Sequence, residues 1–123
     1  MPNVGAIYKF ISAKVAANTP KPKYHVAIDF NCGFFLFINS DDYAGAMKIE
    51  RHEWPEMPKL VSFISCSAGI RYRKSDFKGI TIEASGNLTN DCLLRLRQHI
   101  FESEVMPQMD INIAIAALDK WLA

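Results

Sequence analysis

Two apolar segments joined by a three-residue turn constrain the fold of this chain more than any other part of its sequence. Residues 24–30 are rich in β-branched and aromatic side chains, and residues 34–39 are apolar on both faces. Between them, Asn31, Cys32 and Gly33 suit the backbone angles of a tight turn. The sequence therefore predicts a β-hairpin whose second strand is covered by protein on both sides.

The remaining segments predict more strands and then two helices. The further strands are predicted at residues 4–11, 47–51, 60–66, 70–73 and 80–84, with a proline-containing loop at residues 18–23. Apolar residues at helical spacing predict helices at about residues 89–104 and 110–122. Asn87 or Thr89 would cap the first helix, Pro107 would end it, and Asp110 would cap the second.

The order of these elements predicts an α+β fold. Strands at short spacing would form a small barrel over about residues 4–84, and the two helices would pack on it. With 123 residues, of which 50% are hydrophobic and 22% charged, the chain suits a single domain spanning residues 1–123 and is too apolar for a disordered one. No segment reaches the roughly 18 apolar residues of a membrane span, and the first five residues do not resemble a signal peptide.

Cysteine and histidine are few and scattered. The three cysteines and three histidines form no CxxC pair and no local cluster, which argues against a disulfide framework and a zinc site. We therefore expect reduced thiols in a cytoplasmic protein, with no metal and no cofactor.

The charge is unevenly distributed along the chain. The formal net charge is only +1, but residues 1–28 carry four lysines and no acid, and residues 69–79 carry a net +3. The stretches 29–68 and 80–123 each carry −3. The two basic segments would form a positive patch if the fold brings them together, and are otherwise ordinary solvated surface.

Six short motifs in this order resemble the MazF/PemK toxins of bacterial toxin–antitoxin systems. They lie within residues 4–104, at residues 5–8, 23–28, 35–40, 62–66, 71–77 and 86–89. The resemblance implies an SH3-like barrel (the MazF/PemK/CcdB type) that forms a homodimer. It also implies a metal-independent endoribonuclease that cuts single-stranded RNA and is blocked by an antitoxin protein, with no membrane involved.

The resemblance carries over to three residues. Lys23 matches the arginine that contacts the scissile phosphate in the family, Ser40 matches a Thr or Ser at the end of the next strand, and Arg71 matches the arginine of the second basic segment. This chain departs from the family by having Lys23 in place of arginine, Arg73 where some members carry Asp, and Ala6 in the initiating Gly-Asp pair.

Metal-independent RNA cleavage also needs a group that transfers protons, and His25 is the natural candidate because the pKa of histidine lies near neutrality. The predicted catalytic set is therefore His25, Lys23, Ser40 and Arg71. A second set is predicted to bind RNA by charge or base stacking. It comprises Lys21, Tyr24, Tyr72, Arg73 and Lys74.

Each of these residues also has a purely structural interpretation. His25 would be a core histidine, Ser40 a turn residue beside two aspartates that repel phosphate, and Arg71 and Arg73 a solvated strand face. On this interpretation the chain is a non-catalytic binding module for a protein or a nucleic acid. One version of this hypothesis makes it a protein of a phage or mobile element. The second helix would cover its own barrel, a dimer interface or the antitoxin groove.

Overall fold

The computed structural model describes residues 3–12, 14 and 21–123. They form strands, a single 3-10 turn over Lys74–Phe77 and two C-terminal helices. The strands are β1 (Ala6–Ile11), β2 (Pro22–Asp29), β3 (Phe34–Asn39), β4 (Met47–Glu50), β5 (Val61–Ile64), β6 (Ile70–Arg71) and β7 (Glu83–Asn87). The helices are α1 (Asn90–Phe101) and α2 (Gln108–Leu122).

The strands form one curled antiparallel sheet that closes about half a barrel. Their order is β4-β5-β3-β2-β1-β7, and β6 pairs with the first residues of β3 while β5 pairs with its last. The β2–β3 hairpin lies at the centre of this order, so β3 has neighbours along both edges. The predicted hairpin is confirmed. β3 is apolar on both faces because Leu36 packs in one core cluster and Phe35 in another.

The main core lies between one face of the sheet and the two helices. Val26, Leu36 and Ile64 from the sheet are fully buried against Leu93 and Leu118 of the helices. Trp54, in the loop after β4, is also fully buried and donates its indole N–H to the Ser85 carbonyl oxygen. Burial of apolar area on this scale is the dominant stabilising contribution to such a domain.

A smaller aromatic core covers the opposite face of the sheet. Phe10, Phe35 and Tyr72 are buried there, and Phe77 and Ile80 pack against them. The chain from β6 to residue 80 therefore acts as a cover over the centre of the hairpin. This second core positions the candidate site.

The structure corrects the predicted last strand. Residues 80–84 were predicted from their β-branched residues, but β7 runs from Glu83 to Asn87 and pairs with β1. Ile80 instead packs on the aromatic core, and Ile82 is exposed. The predicted loop at residues 18–23 lies outside the described residues up to Pro20, and its end, from Pro22, belongs to β2.

The helix boundaries are corrected in the same way. Thr89 caps α1 by accepting a hydrogen bond from the Cys92 N–H, as predicted, but α1 ends at Phe101 rather than at about residue 104. Pro107 is the N-cap of α2, and Asp110 lies in the first turn of that helix. The Asp110 carboxylate instead accepts a hydrogen bond from the Gly69 N–H at 3.0 Å. α2 packs on its own chain, on α1 and on β2.

The α+β class is confirmed. Within the described residues, no helix has the length and apolar character that a membrane crossing requires.

Candidate functional site

His25 lies in the interior of the protein. Its imidazole is fully buried and stacks on the Phe10 ring, with the ring centroids 3.8 Å apart. Nδ1 lies 2.9 Å from the Lys23 carbonyl oxygen, and Nε2 lies 2.9 Å from the Tyr72 hydroxyl. Because a carbonyl only accepts, Nδ1 carries the proton and Nε2 accepts from Tyr72.

Burial keeps the His25 ring neutral. The pKa of His25 is lowered to about 4, and the largest cause is the desolvation of the buried ring. Tyr72 extends the network to Ser12, whose Oγ lies 2.6 Å from the Tyr72 hydroxyl. His25 thus contacts β1, β2 and the segment after β6 in the interior of the protein. Its ring cannot reach a substrate bound at the surface.

Lys23 and Ser40 lie near each other at the far end of the hairpin. The Lys23 ammonium donates to Asn39 Oδ1 at 3.1 Å and lies 5.1 Å from the centre of the Phe37 ring. Ser40 Oγ accepts a hydrogen bond from the Lys59 ammonium at 2.8 Å. Both predicted catalytic side chains therefore have partners from their own chain.

Arg71 lies at the opposite end of β3. It pairs with Phe34, the first residue of that strand, whereas Ser40 follows the last. A strand rises about 3.3 Å per residue, so roughly 20 Å separates the two positions. The Arg71 guanidinium forms an ion pair with Asp110 at 3.6 Å. The structure thus does not bring the four predicted catalytic residues together.

Two of the predicted RNA-binding residues also lie outside any shared site. Tyr24 packs edge-on against Trp54, with ring centroids 5.0 Å apart, beside the main core. Lys21 is exposed immediately before β2.

The other three predicted RNA-binding residues line one groove. Tyr72, Arg73 and Lys74 border a groove of about 640 Å³, and its opposite wall is the β2–β3 turn with Phe30. Phe77 also lines it. The volume lies within the range of ordinary ligand sites. An apolar pocket of about 100 Å³, lined only by aromatic residues and Ile82, adjoins the groove.

Gly33 determines how closely the two walls approach. It has φ +67°, and a side chain there would overlap the Tyr72 carbonyl oxygen. The Tyr72 N–H donates to the Gly33 carbonyl oxygen at 2.8 Å, which joins the hairpin turn to the residue after β6. Glycine is required here both for its backbone angles and for its lack of a side chain.

Asp76 holds the backbone of the other wall in place but forms no ion pair with the basic side chains of that wall. Its carboxylate accepts from the Arg73 N–H at 2.6 Å and lies 3.8 Å from the Lys14 ammonium. All thirteen acidic residues of the chain are among the described ones, and none lies within 4 Å of the charged ends of Arg73, Lys74 or Lys78. The charged ends of Arg73 and Lys74 at the groove can therefore contact an anion.

Cys32, in the groove wall, is a poor nucleophile in this setting. Partial burial raises the pKa of its thiol, and the nearby Asp29 carboxylate raises it further. The thiol is protonated at neutral pH. Within the described residues no three His, Cys, Asp or Glu side chains group as metal ligands.

A second cavity adjoins the groove on the other side of the hairpin turn. It has a volume of about 320 Å³ and lies between the turn and the last turns of α2. Phe30 and Asn31 line both cavities, so the turn separates them.

The aromatic wall of the groove was not predicted from the sequence. Phe30 is 46% exposed although it follows an apolar strand, and Phe77 lies in the 3-10 turn within the second basic segment. The sequence signals that could have indicated it are an aromatic residue beside turn residues and another inside a basic segment. Trp121, which lines the second cavity, gave no such signal because it also fits a helical apolar stripe.

Comparison with models of protein families and with curated proteins finds no match for this chain.

Proposed function

We propose that this protein binds single-stranded RNA in the groove and does not cleave it. The observation that carries the proposal is the pairing of aromatic and basic side chains along one groove. The half-exposed Phe30 and the partly exposed Phe77 line the groove and are available to stack on bases. Arg73 and Lys74, with no carboxylate within 4 Å of their charged ends, offer contacts for phosphates. Stacking platforms beside basic side chains are the usual elements of single-strand recognition.

We base the proposed absence of cleavage on the geometry of the predicted catalytic set. Metal-independent cleavage needs a base for the 2′-hydroxyl, positive charge at the phosphate and an acid for the leaving oxygen. His25 is buried and uncharged, and Arg71 lies roughly 20 Å along β3 from Ser40. No single phosphate can contact all of these groups in this arrangement.

The family assignment belongs to this proposal as well. The order of the six motifs and the curled half-barrel of strands support an SH3-like barrel of the MazF/PemK type. The homodimer and the antitoxin partner follow from that assignment alone. In this version the chain keeps the RNA-binding surface of such a protein and lacks its cleavage chemistry.

Charge removal at the groove tests the proposal. We expect Arg73→Ala/Lys74→Ala to weaken binding of a labelled single-stranded RNA of about eight nucleotides by at least about tenfold, measured by fluorescence anisotropy. The slope of log K against log salt should fall by about 1.4, because each phosphate contact to a single strand contributes about 0.7.

The matched control removes two lysines outside the groove. Lys21→Ala/Lys48→Ala changes the net charge equally and should leave affinity within about twofold, since neither residue lines the groove. Equal loss in both double variants would show general electrostatic attraction instead of a groove. The same RNA incubated with the wild type in EDTA should stay intact, and cleavage there would restore the nuclease hypothesis.

A further inference from the structure

The cavity between the hairpin turn and the end of α2 has the composition of a nucleobase pocket. Val4, Ile28 and Ala117 give it an apolar lining, and its volume is about 320 Å³. Asp29 and Lys120 supply polar and charged groups at its border. Ligand pockets typically combine such an apolar lining with a few polar groups that fix orientation.

Trp121 provides the stacking surface. Its side chain lines the cavity and is 41% exposed, so a large part of the ring is available to a ligand. The indole N–H donates to Asn90 Oδ1 at 3.3 Å, which holds the ring against the start of α1. A ring that is already oriented loses little conformational entropy when a base stacks on it.

The polar groups of the turn determine which base fits. One Asp29 carboxylate oxygen accepts a hydrogen bond from the Asn31 N–H at 3.0 Å, and the Cys32 thiol also hydrogen-bonds to this carboxylate. A carboxylate has about four acceptor sites, so it can accept further hydrogen bonds from a base. A carboxylate only accepts, so it favours bases that present an exocyclic amino group, as cytosine, adenine and guanine do, over uracil. Uracil presents carbonyl oxygens at C2 and C4 and a single donor, its N3–H, so it is disfavoured.

We propose that this cavity binds the base next to the segment held in the groove and prefers cytosine or adenine to uracil. The proposal rests on the RNA-binding function proposed above. Phe30 and Asn31 line both cavities, so a strand that leaves the groove passes over the turn directly into the second cavity. Lys120 lies at the border of that cavity, where it can contact the phosphate between the two bases.

Intrinsic fluorescence tests the pocket directly. The chain has two tryptophans, and Trp54 is fully buried, so quenching by an added oligonucleotide reports on Trp121. We expect oligo(C) or oligo(A) of about eight nucleotides to quench the emission and oligo(U) to quench it far less. Trp121→Phe should keep binding but abolish the signal, and Trp121→Ala should weaken oligo(C) binding about tenfold.

Asp29→Asn tests the base preference. The amide both donates and accepts, so the variant should bind oligo(U) and oligo(C) with affinities within about twofold of each other. Quenching of equal depth by all three oligonucleotides, or an oligo(C) preference that survives in Asp29→Asn, would overturn the assignment.

If oligonucleotides bind the groove with no change in emission, the pocket proposal fails and the proposed function stands. If none binds at all, the proposed function itself fails.

Discussion

His25 shows how a single buried polar residue organises the site without contacting a ligand. Its two ring nitrogens join the Lys23 carbonyl oxygen to the Tyr72 hydroxyl, and Tyr72 borders the groove. From the sequence, a histidine on an apolar strand is equally compatible with catalysis and with the core. The register of β1 against β2 decides between the catalytic and the core interpretation. It places Tyr8 opposite His25, and Phe10, two residues further along β1 on the same face, stacks on the imidazole.

The buried histidine should make stability depend on pH. The unfolded chain binds a proton at His25 with a pKa near 6.5, and the folded one only near 4. The unfolded state therefore binds more protons between these values, and the free energy of unfolding falls as pH decreases from about 6.5 to 4. The full effect of this group is about 3 kcal/mol.

Urea unfolding across this pH range measures the effect. His25→Gln cannot titrate and keeps a hydrogen-bonding side chain, so the difference between wild type and variant should shrink steadily towards pH 4. A difference that stays constant across the range would show that His25 is not buried in its neutral form. His52 and His99 are present in both proteins and cancel from the comparison.

At the scale of elements, the strongest sequence patterns predicted the positions of strands and helices most accurately. The β2–β3 hairpin and Thr89 at the start of α1 follow from local sequence, because turn residues and side-chain caps act within a few positions. β7 was misplaced because its sequence, Glu-Ala-Ser-Gly-Asn, has no apolar periodicity. It is an edge strand defined by its backbone pairing with β1, and such pairing leaves no local signal.

The hairpin turn should control the groove through Gly33. We expect Gly33→Ala to lower the free energy of unfolding by about 2 kcal/mol or more, because it combines a positive φ with overlap at the Tyr72 carbonyl oxygen. Gly79→Ala is the matched control, since Gly79 also has a positive φ, +75°, but open space around the added carbon. It should cost only about 1 kcal/mol.

Urea denaturation of both variants provides the comparison. Equal losses would mean that the backbone angle alone accounts for Gly33, and that the contact between the turn and Tyr72 contributes nothing. A larger loss in Gly33→Ala, accompanied by weaker RNA binding, would connect this contact to the groove.

At the scale of the whole molecule, the separation of charge along the chain has a partial spatial counterpart. The segment 69–79 supplies Arg73 and Lys74 to the groove rim, as its net charge suggested. From the other basic segment, the Lys14 ammonium lies near the Asp76 carboxylate and the Tyr72 ring, so it contacts the segment 69–79. Lys9 and Lys23 point elsewhere, because Lys9 lies over the Tyr24 ring and Lys23 donates to Asn39. The sequence identified the basic segments correctly, but not which of their members share a surface, because this depends on strand register.

The same reasoning separates the predictable part of the candidate site from the rest. Tyr72, Arg73 and Lys74 were identified because they are consecutive in a basic segment. Phe30 and Trp121 belong to elements more than ninety residues apart in the sequence and meet only after α2 packs on the sheet. A single sequence carries no local signal for such a long-range juxtaposition.

Cross-linking of bound RNA most directly tests the central claim that single-stranded RNA occupies the groove. A photoreactive single-stranded oligonucleotide is bound to the wild-type protein and irradiated, and the attached peptides are identified by mass spectrometry. The account predicts attachment at Phe30, Phe77 or the peptide around Arg73 and Lys74, with the RNA otherwise intact. Attachment confined to the surface around Lys21, Ser40 and Lys59, or cleavage of the RNA there in EDTA, would contradict it.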